Sequence, residues 1–536
     1  LENRFVKRIV VALAAVLLAG CGGGETPAPP PSPPRIVEVS PGDGTAGVGV
    51  NRTIAIVFDR AIDNASVDNA AVTLSPSVPG TISLSGNVIR FKPLSPLEFD
   101  RTYLLSVGPG VRDLAGTPMG TSSTFGFRTS VIPIWEGSRP FATASEDQAT
   151  CTARGADGNV FVAGKSRGAI DNGLSNAGGH DLFVARFGPT GNRTWMREFG
   201  ASGDDNASGI ALDGAGNVYV CGSTAGGLEG VPTAGGTDAF VAKYDDNGVR
   251  LWVRQFGSAN DDFAFGVAVD ASGNVYAAGA TYGSVDNTTP SAGGADMMLL
   301  RYDTDGNLQW ARQRGTPAAD VGMGVAVDAS GDGWVCGTTG GAFDGNAARG
   351  GDDMFLIGFD SSGNRVRSLQ FGSQGSDAAA GVAIDESGDI YVTGSSYGSY
   401  GGISKGNADV VAAKFSPTGT LRWSAQFGSA GNDAALGAPA VAMGNLYVAG
   451  YTDGTLGASA YGLRDLFLQK VDAATGRPVW VRQYGTAAED VGTGVALDDV
   501  GDVFLSGYTA GAFDGGTPAG LNDGFLVKYR ADGERQ

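Results

Sequence analysis

The fold is decided by the stretch Ala207–Gly257, ASGIALDGAGNVYVCGSTAGGLEGVPTAGGTDAFVAKYDDNGVRLWVRQFG. A run IALD (Ile210–Asp213) turns through glycine into NVYVCG (Asn217–Gly222). A long glycine-rich loop leads to DAFVAKY (Asp238–Tyr244), which turns into LWVRQFG (Leu251–Gly257). Short apolar runs joined by tight glycine turns predict four antiparallel strands. Near-restatements of GNVYVCG begin at Asn159, Asn217, Asn274, Asp332, Asp389, Asn445 and Asp502, 56 to 58 residues apart. Seven copies at this period predict a seven-bladed β-propeller of four-stranded blades over 134–533. Before the first copy stands one further segment, PIWEG around Trp135, and after the last only FLVKYRADG (Phe525–Gly533). The last unit thus lacks a fourth strand. A strand bearing Trp135 would supply it and leave no free sheet edge.

Upstream the period changes. TIAIVFD (Thr53–Asp59), GTISLSGNVIRFKP (Gly80–Pro93), TYLLSVG (Thr102–Gly108) and FGFRT (Phe125–Thr129) predict a small Ig-like β-sandwich over 35–130, so the expected fold class is all-β throughout. GGGETPAPPPSPP (Gly22–Pro34), within an expected stalk at 21–34, is too rich in glycine and proline to pack a core and reads as a spacer. Residues 1–20 carry Arg4, Lys7 and Arg8, an apolar run from Ile9 to Leu18, and small residues before Cys21. That order is a signal peptide pattern, and the apolar run is short for a membrane span.

Three resemblances add to this. The ending Leu18, Ala19, Gly20, Cys21 resembles a bacterial lipobox, which implies that Cys21 is acylated; by the same resemblance Gly22 favours the outer membrane or cell surface. SPGDGTAGV, IVFDRAID and GVRDLAGTPM resemble the bacterial Ig-like domain of the SbsA type, which implies a spacer or adhesive module. The recurring GGxDxFVAKY, WxRQFGS and GVAVDxxGNVYVAG, from about Ile134 to Gly533, resemble the bacterial β-propeller repeat family SBBP, which implies the fold and no shared catalytic residues. Two departures stand out: Arg367 replaces the outer-strand tryptophan, and Pro439 interrupts an inner strand.

Charge narrows the partners. With 37 basic against 56 acidic residues the net charge is −19, which disfavours nucleic acid and anionic membrane surfaces, so a membrane would be met through the lipid anchor alone. A glycan or a surface protein is the partner such a chain would take.

Recurrence within the chain selects candidate site residues. Asp147, Asp205, Asp262, Asp320, Asp377, Asp433 and Asp490 each lie twelve residues before an anchor. Asp181, Asp238, Asp296, Asp353, Asp409, Asp465 and Asp523 each open a third strand, at the same end as the long second-to-third loops. The first ring, at the mouth of a central channel, has the hard oxygen donors that calcium takes. Carboxylates also cap turn N–H groups, and recurrence in every repeat favours this role over a ligand site. Gly209, Gly266, Gly324, Gly381, Gly437 and Gly494, with Cys151 in the first repeat, suit crowding near an axis. An apolar residue eleven places after each anchor, Ile170, Leu228, Val285, Phe343, Tyr400, Leu456 or Phe513, is expected to pin each loop.

Catalysis finds little support. His180 stands alone and is expected to be a solvent-facing loop residue, while Cys221 and Cys336 read as small core residues. The alternating Trp252, Arg254 and Phe256 suit packing between blades better than an exposed sugar platform. The sequence therefore points to a non-catalytic surface binding or scaffold protein that recognises through its long-loop face. The rival is a secreted polysaccharide hydrolase or lyase using paired carboxylates, for which no spacing singles out a pair.

Overall fold

The computed structural model describes residues 32–48, 50, 52–68, 70–94, 97–129, 135, 137–170, 175–285, 289–457, 459–515 and 517–536. The signal segment, Cys21 and Ile134 lie outside the described residues. The described residues form strands with a few 3-10 turns and no α-helix. The chain divides into two compact units, one of Leu1–Val48, Arg52–Leu97 and Arg101–Thr129, the other of Gly49–Asn51, Glu98–Asp100 and Ser130–Gln536.

In the first unit two four-stranded sheets are formed. One runs Ile36–Ser40, Ile54–Phe58, Val88–Pro93, Gly80–Ser85; the other runs Thr45–Val48, Ser123–Thr129, Thr102–Val107, Val72–Ser75. Period-two alternation sends Ile54, Ile56 and Phe58 inward from one sheet and Tyr103, Leu105 and Val107 from the other, all buried. Tyr103 stacks on Phe127 at 5.8 Å.

Among the described residues, the second unit holds seven sheets in a propeller-like succession. Sheet 1 is Asp147–Arg154, Val160–Ser166, Asp181–Phe187 and Arg193–Phe199; sheet 2 is Asp205–Leu212, Val218–Thr224, Asp238–Tyr244 and Arg250–Phe256. Sheets 3, 4 and 5 begin at Asp262, Asp320 and Asp377 and repeat this order. Sheet 6 begins at Asp433, and its inner strand is split into Asp433–Ala435 and Ala440–Ala442 around Pro439, whose ring removes a ladder donor. Sheet 7 is Asp490–Leu497, Val503–Thr509, Asp523–Tyr529 and Arg139–Phe141.

Second and third strands are buried on both faces, so they read as continuous apolar runs such as VYVCG and DAFVA. The glycine ending VYVCG is sterically required: a Cβ on Gly222 would lie 1.8 Å from the Asn206 carbonyl oxygen, and on Gly279 1.8 Å from that of Phe263. The inner glycines sit as their recurrence suggests, because a Cβ on Gly266 would meet Gly324 Cα at 2.9 Å and one on Gly494 would meet Thr152 N at 2.7 Å. Residues of these inner strands, among them Cys151, Gly209, Phe265, Met323 and Thr493, line an axial cavity of about 90 Å³.

The fourth strand of sheet 7 is Arg139–Phe141, not a strand centred on Trp135 as expected. Phe141 lies opposite Gly524, as Phe256 lies opposite Ala239 in sheet 2, so Trp135 is two residues too early for the strand tryptophan. Its ring nevertheless reaches the equivalent place. It meets Phe504 edge-on at 5.4 Å, as Trp252 meets Tyr219 at 6.1 Å, and Trp195 packs tilted on Phe161 at 6.0 Å. The start of the missing strand is supplied by Arg535, which bridges Tyr529 as Arg250 pairs with Tyr244.

A second recurrent device joins neighbouring sheets. The outer-strand arginine stacks on its tryptophan and donates its Nε to the carbonyl of the turn glycine in the next sheet. Arg197 reaches Gly248, Arg254 reaches Gly306, Arg312 reaches Gly363 and Arg482 reaches Gly533, at 2.7–2.9 Å. Arg139 of sheet 7, stacked on Trp135 at 4.7 Å, reaches Gly191 of sheet 1 at 2.6 Å. Sheets 4 and 5 depart from this. Leu369 and Ala425 hold the arginine places, and Arg367 holds that of the sheet 4 tryptophan beside Gly419. Restoring the pair with Arg367→Trp and Leu369→Arg should raise stability by about 1 kcal/mol, from one hydrogen bond and one cation–π contact. Urea unfolding measures it; an unchanged midpoint would reduce the clamp to ordinary packing.

Candidate functional site

Both aspartate rings lie at the end of the sheets that bears the long loops, and both are buried. Each first-ring carboxylate folds back onto the turn that precedes its strand. The N–H four residues earlier, on Thr143, Ala201, Ser258, Thr316, Ser373, Ser429 or Thr486, donates to Oδ2 at 2.5–2.7 Å. In sheets 1 and 4 the other oxygen accepts from the hydroxyl that ends the second strand, Ser166 or Thr339. The second ring repeats the motif, with N–H groups from Ala177, Ala234, Ala292, Arg349, Lys405, Tyr461 and Ala519 at 2.6–2.9 Å. None of the fourteen aspartates lines the axial cavity. Among the described residues, no group of three or more His, Cys, Asp and Glu side chains is arranged to hold a metal ion. Burial pushes the carboxyls of Asp147, Asp205, Asp262, Asp320, Asp377 and Asp490 above the usual range, an effect their hydrogen bonds partly offset.

The rings also stitch sheet to sheet. Each first-ring N–H donates to the carbonyl of the residue before the second-ring aspartate of the preceding sheet: Asp205 to His180, Asp262 to Thr237, and so on to Asp490 to Arg464, at 2.6–2.8 Å. Asp147 N–H donates to Asn522 of sheet 7 at 2.8 Å, and Thr493 Oγ1 of sheet 7 donates to Ala149 of sheet 1 at 2.8 Å.

A glutamine that the sequence reading passed over organises the long loops. In WxRQFG the glutamine follows the second-ring aspartate by 17 residues in sheets 2 to 5 (Gln255, Gln313, Gln370, Gln426) and by 18 in sheet 6 (Gln483). That fixed spacing was the available signal. Its Oε1 accepts from the backbone N–H of the loop-pinning residue, Leu228, Val285, Phe343, Tyr400 or Leu456, at 2.7–3.1 Å. Its Nε2 donates to the second-ring Oδ2 at 2.7–2.9 Å. It also donates to the glycine carbonyl that opens the loop, from Gly226 to Gly454. One side chain thus fixes both ends of each loop, and the apolar pins Leu228 and Phe343 are almost fully buried. Glu198 occupies this place in sheet 1 and Pro140 in sheet 7.

His180 is not solvent-facing as expected. It is 8% exposed, with Nδ1 3.0 Å from Asp204 and Nε2 3.4 Å from Glu146. Burial pushes the thiols of Cys151 and Cys336 up to about 12, so they remain protonated and unreactive, and Cys221 is pushed up likewise.

Comparison with known proteins follows the same division. Residues 31–129 match the bacterial Ig-like domain family, and residues 194–229, 251–285, 366–401 and 479–514 match the β-propeller repeat family. The chain therefore carries a bacterial Ig-like domain followed by SBBP-type β-propeller repeats. The regulatory protein FlaEY of Caulobacter vibrioides is 29% identical over 197 residues, covering 33% of this chain and 20% of that protein. The chain thus spans about a fifth of that relative's length. Among solved structures, the WD40 domain of Neurospora crassa Pan2 aligns at 10% identity and a TM-score of 0.41, over 74% of this chain and 97% of that one. The β-propeller domain of the Pyrococcus furiosus trilobed protease aligns at 9% identity and 0.42, over 74% and 96%.

Proposed function

We propose that this is a lipid-anchored binding or scaffold protein of the bacterial cell surface, whose seven sheets close as one seven-bladed propeller and present the long-loop face to a glycan or a surface protein. One observation carries the recognition reading. Large apolar side chains are exposed on several of the long loops whose bases the glutamines fix: Val231, Tyr282, Tyr397, Ile403, Tyr461 and Leu463. Ile403 is 84% and Leu463 72% exposed. Isolated exposed apolar residues need no explanation, but their gathering on differing loops at one end of a rigid scaffold is the arrangement that recognition uses. Ring closure is supported by the strand Arg139–Phe141 in sheet 7 and by the sheet 7 to sheet 1 hydrogen bonds. The anchor rests on Cys21 and its preceding residues, and the surface position on that anchor.

A glycan array, run beside a reducing-sugar release assay, tests the proposal. Binding without sugar release is expected, and exchanging Thr224–Gly236 for a short turn should change binding while the far-ultraviolet spectrum stays the same. Sugar release would make the protein a polysaccharide-degrading enzyme, and binding indifferent to the exchange would remove this loop from the recognition surface. Mass spectrometry of the amino-terminal peptide tests the anchor: an unacylated Cys21 would reject it.

A further inference from the structure

Glu198 stands where five other sheets place glutamine. It pairs with Phe183 across the strands, as Gln255 pairs with Phe240 and Gln313 with Met298. The glutamines work there through two N–H donations, one to the second-ring carboxylate and one to a loop carbonyl. An ionised glutamate has neither donor; only its protonated form can donate. Both Glu198 carboxyl oxygens are buried without a hydrogen-bond partner, whereas each glutamine side chain has several.

The surroundings are acidic. The charges of Asp181 on the third strand and Asp147 on the first both oppose ionisation of Glu198. Asp205 opens the adjoining sheet, and Gly200 is wedged between it and Asp181, since a Cβ there would meet Asp181 Oδ1 at 2.5 Å and Asp205 Oδ2 at 2.8 Å. The basic groups nearby are engaged elsewhere: His180 with Asp204 and Glu146, and Lys165 with Glu146 at 3.8 Å. Arg167 acts on Asp204, and Arg197 points to the other end of the sheet, at Gly248.

We propose that Glu198 is a proton-operated latch: protonated, it donates to Asp181 and holds the Ile170 corner as glutamine does in the other sheets, and ionised, it opposes Asp181 and lets go. Burial raises the Glu198 carboxyl to about 7, the Ile170 N–H, near it though outside hydrogen-bonding geometry, lowers it, and the charges of Asp181 and Asp147 raise it further. The folded-state value lies above the unfolded one, so the latch contributes fully below the ordinary glutamate range and is lost as pH rises to about 7. Between those limits opening releases a proton, so the opening equilibrium grows about tenfold per pH unit and then levels off.

Amide hydrogen exchange of the full chain, corrected for intrinsic rates, tests this at Ile170 and, for comparison, Val285. Wild-type protection at Ile170 should fall at least tenfold from pH 5 to pH 7.5, while Val285, held by Gln313, stays level. Glu198→Gln should make Ile170 level too. The reverse change, Gln313→Glu, should transfer the pH dependence to Val285, and it decides the matter if Glu198→Gln does not fold. A level wild-type profile at Ile170, a Glu198→Gln profile that still falls with pH, or a level Val285 in Gln313→Glu would each overturn the latch.

Discussion

Replacing Phe141 with alanine should destabilise the propeller unit by about 3–5 kcal/mol, the range for truncating a buried phenylalanine. Phe141 is 2% exposed. Its backbone pairs with Gly524 in sheet 7, while its ring packs on Phe183 at 5.6 Å and Phe187 at 5.4 Å in sheet 1. The change therefore acts on the junction between the sheets farthest apart in sequence. An exposed control on the same unit, Leu308→Ala, should shift the urea midpoint only slightly. If Phe141→Ala melts with the wild type, sheets 7 and 1 are not joined, and the closed ring is wrong.

Asp320→Ala should cost a similar amount, about 3–5 kcal/mol, for a different reason. It strands buried donors that now meet a carboxylate: the Thr316 N–H, the Thr316 hydroxyl at 2.8 Å and the Thr339 hydroxyl. Hydrogen bonds to a charged group contribute more than neutral ones, and donors left unmatched in the interior keep their desolvation penalty. Asp320→Asn retains one acceptor oxygen and should cost less. Calcium titration separates the two roles of the ring. Melting that ignores calcium fits turn capping, whereas a calcium-dependent rise in Tm lost in Asp320→Asn would assign the carboxylates to a cation.

The repeat period and strand alternation carried the architecture, because blade-forming residues must recur wherever the same backbone geometry recurs. The inner glycines and the loop pins were legible for that reason. Trp135 misled by two positions because a tryptophan marks the outer strand only when the chain passes it in register; here the ring arrives from outside the strand. The Gln255-type latch was visible as recurrence but not as a role, since its three partners, Gly226, Leu228 and Asp238, lie 17 to 29 residues before it. His180 looked exposed because it lies in a glycine-rich loop, yet two acidic residues from neighbouring turns enclose it. The loop tips do not repeat, and an unrepeated residue carries no internal comparison from which a role could be read.

The arginine clamps join neighbouring sheets unevenly. Leu369 on one side of sheet 5 and Ala425 on the other leave that sheet without a guanidinium bond at either junction, whereas sheets 1, 2 and 3 are held at both. Sheet 6 keeps its clamp onto sheet 7 through Arg482. Fluctuations short of global unfolding take the path with the fewest bonds to break, so sheet 5 is where this succession of sheets would begin to come apart.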